Sequence, residues 1–91
     1  RKETKLITQS EFFDATWYLE KYPDVAKSKI SPATHYVRYG ANEHRDPSSK
    51  FSTKQYLRAY QDVAQSGVNP LVHYLMFGQA EGRSPTPASN K

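Results

Sequence analysis

The chain contains no cysteine. Disulfide frameworks, thiolate metal sites and cysteine nucleophiles are therefore excluded, while the compartment stays open. No apolar run approaches the roughly 18 residues of a membrane-spanning helix, and no signal-peptide pattern is visible. Glycine is scarce at four residues, and no glycine-rich phosphate loop appears. A serine-nucleophile elbow and an Asp-x-Asp pair for a sugar-nucleotide metal are also missing. Glycoside hydrolysis needs two carboxyl groups about 5–10 Å apart across a cleft, whereas the acids here are scattered. No catalytic centre, cofactor or metal site is expected.

Charge of one sign is present only in modest excess. The net charge is +4, but Arg1, Lys2, Lys5 and Lys91 against Glu3 account for +3 of it. Residues 10–85 carry only +1. A nucleic-acid binder concentrates its bases on one folded face, so nucleic acid is the weakest partner class, with membrane-surface docking little better. Against 36% hydrophobic residues, aromatics reach 13%. They bury much area per residue and bring polar handles, which fits a small folded domain rather than a disordered chain. A start at Arg1 rather than Met is expected of a fragment or a processed product.

The dominant feature is an internal repeat. Segment 13–47 aligns with segment 51–85 without a gap, and 15 of the 35 positions are identical. Ser31-Pro32 and Asn69-Pro70 each join a good N-cap to a proline at the first helical position. Asp14 and Ser52 are N-cap candidates, and Ser52 with Gln55 fits a capping box. Pro23 is expected to break the first copy after Tyr22, whereas Gln61 leaves the first two helices of the second copy free to run together. Gly40 and Gly78 are placed as left-handed helix ends. The predicted core comprises Phe13, Tyr18, Leu19, Tyr22, Val25, Ala26, Ile30, Tyr36, Val37 and Tyr39, with their counterparts 38 residues on. The expected fold is all-α: two tandem copies of a short multi-helix repeat, packed with pseudo-symmetry. Residues 1–9 read as a polar basic tail, 10–47 as the first copy, 48–50 as a linker, 51–85 as the second copy, and 86–91 as a tail.

The run Phe-Asp…Trp-Tyr-Leu…Tyr-Pro-Asp-Val-Ala…Pro…His-Tyr…Gly…Glu…Arg-Asp-Pro resembles a tandem repeat found beside bacterial glycosyltransferase domains for surface polysaccharides, including rhamnan-synthesis-type proteins. It also resembles repeats in some large secreted proteins. The resemblance covers residues 12–85 and implies a non-catalytic accessory module of a larger protein. Gln61 departs from the usual proline, and His44 from the usual glycine of Glu-Gly-Arg.

His35 and His73 share one repeat position and, with His44, are the ligand candidates. Zinc-site spacing is absent, so a histidine bonded near a helix start is the favoured reading. Asp24 with Arg45, and Asp62 with Arg83, are expected to pair and fix the turn after the last helix, with Glu43 and Glu81 beside them. A sugar- or phosphate-binding role for these groups is the alternative. Trp17, Tyr18, Tyr36, Tyr39 and Tyr74 offer an aromatic platform unless the core claims them. Trp17 faces Gln55 in the alignment, so it is expected to be the most exposed. Trp17, Arg38 and His44, where the copies differ, are the favoured contacts. The expected partners are other domains of the parent protein, a protein partner or a second copy, with a polysaccharide as alternative. The cytoplasmic face of the bacterial inner membrane is favoured, with secretion as alternative.

Overall fold

Every helix here is short, so its start must be fixed locally and its faces held by packing. The computed structural model describes residues 2–88. Helix α1 spans Lys2–Thr8. The first copy follows as α2 (Ala15–Lys21), α3 (Pro23–Ser28) and α4 (Pro32–His35), which runs on into a π-helical turn, Tyr36–Gly40. The second copy repeats the order: α5 (Thr53–Ala59), α6 (Gln61–Ser66), α7 (Pro70–His73) and the π turn Tyr74–Gly78. No strand occurs among the described residues; Ser48 and Phe51 form an isolated bridge. The domain is small and all-α.

The caps explain the starts. Asp14 accepts from the Trp17 amide at 3.0 Å, and Ser52 from the Gln55 amide at 3.2 Å. Ser31 caps α4, and Asn69 Oδ1 accepts from the Leu71 and Val72 amides. Each such bond satisfies an amide that the first turn leaves without a partner. Each copy also closes end to end. The Asp14 amide donates to the Pro47 carbonyl at 3.0 Å, and the Ser52 amide to the Pro85 carbonyl at 2.9 Å.

Two expectations about breaks are corrected. The second copy does not run its first two helices together. Tyr60 leaves helical geometry at φ −121°, ψ 82°, almost as Tyr22 does at φ −125°, ψ 80°. Proline is therefore not what bends the chain there. Both tyrosine hydroxyls are held by a distant backbone amide, Asp46 for Tyr22 and Ser84 for Tyr60, each at 2.9 Å. Gln61 meanwhile donates to the Arg58 carbonyl at 3.0 Å, covering an end that proline leaves bare. Nor are Gly40 and Gly78 the left-handed residues. Those are Lys29 and His44 in the first copy (φ 69° and 61°), and Gly67 and Gly82 in the second (φ 80° and 78°). Lys29 and His44 thus adopt a conformation that costs a side-chain-bearing residue about 1 kcal/mol or more.

The core contains Phe13, Tyr18, Val25 and Tyr36 with Phe51, Tyr56, Val63 and Tyr74, as expected, and also Ala33, Ala41, Leu71 and Val72. Ala26 and Ala64 are exposed, as are Val68, Tyr39 and Phe77. Helices this short present one narrow face inward, and Ala26 and Ala64 fall beyond its edge, while Val68 lies in the connection between α6 and α7.

The expected N-terminal tail is a helix. Only two of its seven residues, Leu6 and Ile7, are strongly apolar, and it has no counterpart in the repeat, so periodicity could not mark it. Yet α1 lies against both α4 and α7, and Ile7 is fully buried. Phe12, just beyond it, meets Tyr74 edge-on at 5.1 Å. Residues 2–12 therefore bridge the copies. Of the expected C-terminal tail, Pro87 is buried, and residues 89–91 lie outside the described residues.

Ile7→Ala should lower the unfolding free energy by about 2–4 kcal/mol, as truncation of a fully buried isoleucine does. Urea denaturation monitored by circular dichroism measures this; an unchanged midpoint would restore the view of residues 1–9 as a tail.

Candidate functional site

The polar residues that recur in both copies come together in two constellations. In the first, the Tyr18 hydroxyl meets His35 Nδ1 at 2.8 Å, and Tyr56 meets His73 Nδ1 at 2.9 Å. Tyr18 reaches this point from α2 and His35 from the end of α4. Burial pushes both phenols well above their usual range, so each keeps its proton. Beneath each bond lies a glycine. A Cβ on Gly40 would collide with the Tyr18 hydroxyl, and one on Gly78 with the Tyr56 hydroxyl. These glycines are required for close approach, not for backbone twist.

In the second constellation, Arg45 forks onto both Asp24 oxygens at 2.9 and 2.7 Å, and its Nε bonds Glu43 at 2.9 Å. Arg83 makes the same fork onto Asp62 and bonds Glu81 at 2.8 Å. Each guanidinium stacks 4.8 Å from a tyrosine ring, Tyr22 or Tyr60. Planar bidentate pairing is the geometry in which arginine is strongest. The arginine bonds hold Asp24 and Asp62 below the ordinary carboxylate value of 3.8.

A third set of bonds occurs only where the copies meet. Thr53 at the start of α5 donates its hydroxyl to the Arg45 carbonyl at 2.7 Å and accepts from the Tyr36 hydroxyl at 2.8 Å. Its amide donates to Asp46 Oδ1 at 2.9 Å. Burial raises the Asp46 carboxyl. The repeat equivalents of Thr53 and Asp46 are Ala15 and Ser84, so the outer ends of the two-copy unit lack this clasp.

The residues favoured from sequence do not converge. Trp17 is half-buried rather than the most exposed aromatic: its ring meets Tyr22 edge-on at 6.3 Å, and Lys21 Nζ lies 5.9 Å away. Tyr39, at 46%, and Phe77, at 51%, are the exposed rings, each beside the histidine of its own copy. Tyr18, Tyr36 and Tyr74 are core residues and offer no platform. His44 is an exposed turn residue. Arg38 lines a hollow of about 600 Å³ with Lys2, Glu3 and Thr34. A second hollow of about 400 Å³ lies between the copies, with Val37 and Asn42 on one side, Val63, Val68 and Asn69 on the other and Glu3 from α1. Asn69 Nδ2 is buried without a hydrogen-bond partner. The second hollow is the groove between the copies, which the doubling itself leads one to expect, whereas the first depends on where α1 lies. No group of three or more metal-ligating side chains occurs among the described residues. Comparison with protein families, with curated proteins and with solved structures finds no match.

Gly78→Ala should destabilise the fold by roughly 1–3 kcal/mol through overpacking, and Tyr56→Phe in the same chain should recover part of that loss. A double-mutant cycle measures the coupling; additive effects would mean that the hydroxyl is not what the new methyl meets.

The two aspartates also set a pH dependence. Their folded pKa values lie below the unfolded value, so their contribution is present above 3.8 and is lost as pH falls through and below it. Asp46, shifted upward, acts in the opposite sense. The melting temperature should fall on acidification through this range, and Asp24→Asn with Asp62→Asn should flatten the fall while lowering the neutral-pH value. Thermal melts from neutral pH downward test this; an identical acid slope in the double variant would refute it.

Proposed function

We propose that the chain is a non-catalytic accessory module of a larger bacterial protein and acts in protein interaction, scaffolding or self-association. The parent suggested by the repeat pattern is a surface-polysaccharide glycosyltransferase at the cytoplasmic face of the inner membrane. The observation that carries the reading is how the repeated polar groups are engaged. The histidines bond buried tyrosines, and the arginines bond aspartates within their own copy. Charges and imidazoles placed identically in each copy are thus engaged within the fold, while Tyr39, Met76 and Phe77 stay exposed.

The second reading is a carbohydrate-binding module, favoured by the exposure of Tyr39 beside His35. Sugar rings stack on such faces.

Sedimentation and pull-down with the remainder of the parent protein should show association of the isolated chain. Titration with the host polysaccharide should leave Trp17 fluorescence unchanged. A saturable fluorescence shift together with an inert monomer would exchange the two readings.

A further inference from the structure

We propose that the seam between α1 and α4 binds a phosphate group, carried by a small ester or a lipid headgroup. Such a site goes beyond the interaction reading and stands whether or not the module docks a protein. Two hollows, of about 600 and about 510 Å³, lie along this seam and share Lys2, Thr4 and Thr34 as walls. Arg38 lines the first, and Lys5 and Ser31 line the second. Ligand sites run from roughly 300 to 1,000 Å³, so each hollow has room for a phosphate and the carbon skeleton that bears it.

Charge selects the ligand. Read from sequence, Lys2 and Lys5 belong to a tail, where their charge counts for little. Folded as α1, they line the same seam as Arg38, so three bases from two separate segments gather in one place. Among the described residues none of the three forms an ion pair, whereas Arg45, Lys50 and Arg83 all do. Glu3 is the one acid among the described residues that line the seam, and it also borders the hollow between the copies. Three bases against one acid leave the seam a formal charge of +2. Like charges held in one hollow repel. A phosphate monoester, at about −1.5 to −2 near neutral pH, balances them, and a single carboxylate does not. Three bases are too few to follow a nucleic-acid backbone, which takes about 6–10 phosphate contacts for strong binding.

Hydroxyl donors complete the set. Ser31 Oγ accepts from the Thr34 amide at 3.3 Å and meets Thr34 Oγ1 at 2.8 Å. That mutual bond uses one of the two hydroxyl protons and leaves the other for an outside acceptor, such as a phosphate oxygen. The repeat supplies an internal control. The positions of Ser31, Thr34 and Arg38 are held in the second copy by Asn69, Val72 and Met76, which bring no cation and no hydroxyl. Helix α1 lies against α7 as well as α4, and Val72 of α7 is buried. Packing of α1 on this repeat therefore does not require a cationic, hydroxylated face, and only the first copy presents one.

Amide NMR spectra of the 91-residue chain, titrated with inorganic phosphate and with glycerol phosphate at constant ionic strength, should shift saturably at residues of the seam. Arg38→Met installs the residue that the second copy carries there. It should weaken binding about tenfold and leave the melting temperature unchanged, since Arg38 is exposed. Lys54→Met removes an equal charge from an exposed site outside the seam and should leave the affinity as it is. Flotation with phosphatidylcholine vesicles carrying phosphatidic acid separates the two sources. Vesicle binding that is tighter than glycerol phosphate binding and is lost in Arg38→Met assigns the headgroup; weaker or absent vesicle binding assigns the soluble ester. No saturable binding of any of these probes would overturn the proposal. Binding indifferent to Arg38→Met, or lost equally in Lys54→Met, would overturn it too. None of these results bears on capture of the remainder of the parent protein, so the interaction reading stands or falls separately.

Discussion

A tyrosine hydroxyl held in the interior sets the terms for everything around it. Each copy places one phenol from its first helix directly over a glycine of its last turn, with a histidine nitrogen as partner. A buried hydroxyl without a partner is costly, so the histidine position follows. A side chain on the glycine would collide with the phenol, so the glycine follows too. The ring then organises its neighbours: Tyr18 meets Phe13, Tyr22 and Tyr36, and Tyr56 meets Phe51, Tyr60 and Tyr74. The helices are too short to be stable alone. A cluster of large rings, pinned by one directional bond per copy, gives them a common body to lie against.

Around this centre the charged groups act at longer sequence range. The arginine forks join the start of the second helix of each copy to the turn after its last, 21 residues on. The tyrosine under each guanidinium also receives a backbone amide 24 residues away. These bonds, with the amide-to-carbonyl contact closing each copy, tie the beginning of a unit to its end. Among them, the arginine–aspartate forks are exposed enough for salt and pH to reach them.

Most of the local punctuation was legible in the sequence. Four N-caps, the proline starts and the arginine–aspartate partners sit where doubled residue types placed them, because each is a short-range or one-to-one rule. What escaped depends on three-dimensional neighbours. Gly40 looked like a helix end because glycine usually marks one, while its real constraint is a phenol from another helix. Tyr60 breaks its helix without proline because its hydroxyl is anchored to Ser84. Helix α1 has too few apolar residues to announce itself. Trp17 looked free because its repeat partner is polar, yet a ring can pack at the margin of a core without being required by it. Tyr39 and Phe77 looked internal because aromatic character was maintained in both copies; they cover the histidines from outside.

The clasp at the junction is also a rule of grammar. Thr53 opens the second copy and Asp46 closes the first, while the matching outer positions carry Ala15 and Ser84. The two copies are therefore ordered: with their places exchanged, Ala15 would stand at the junction without a hydroxyl, and both bonds that the Thr53 hydroxyl makes there, to Tyr36 and to the Arg45 carbonyl, would be lost.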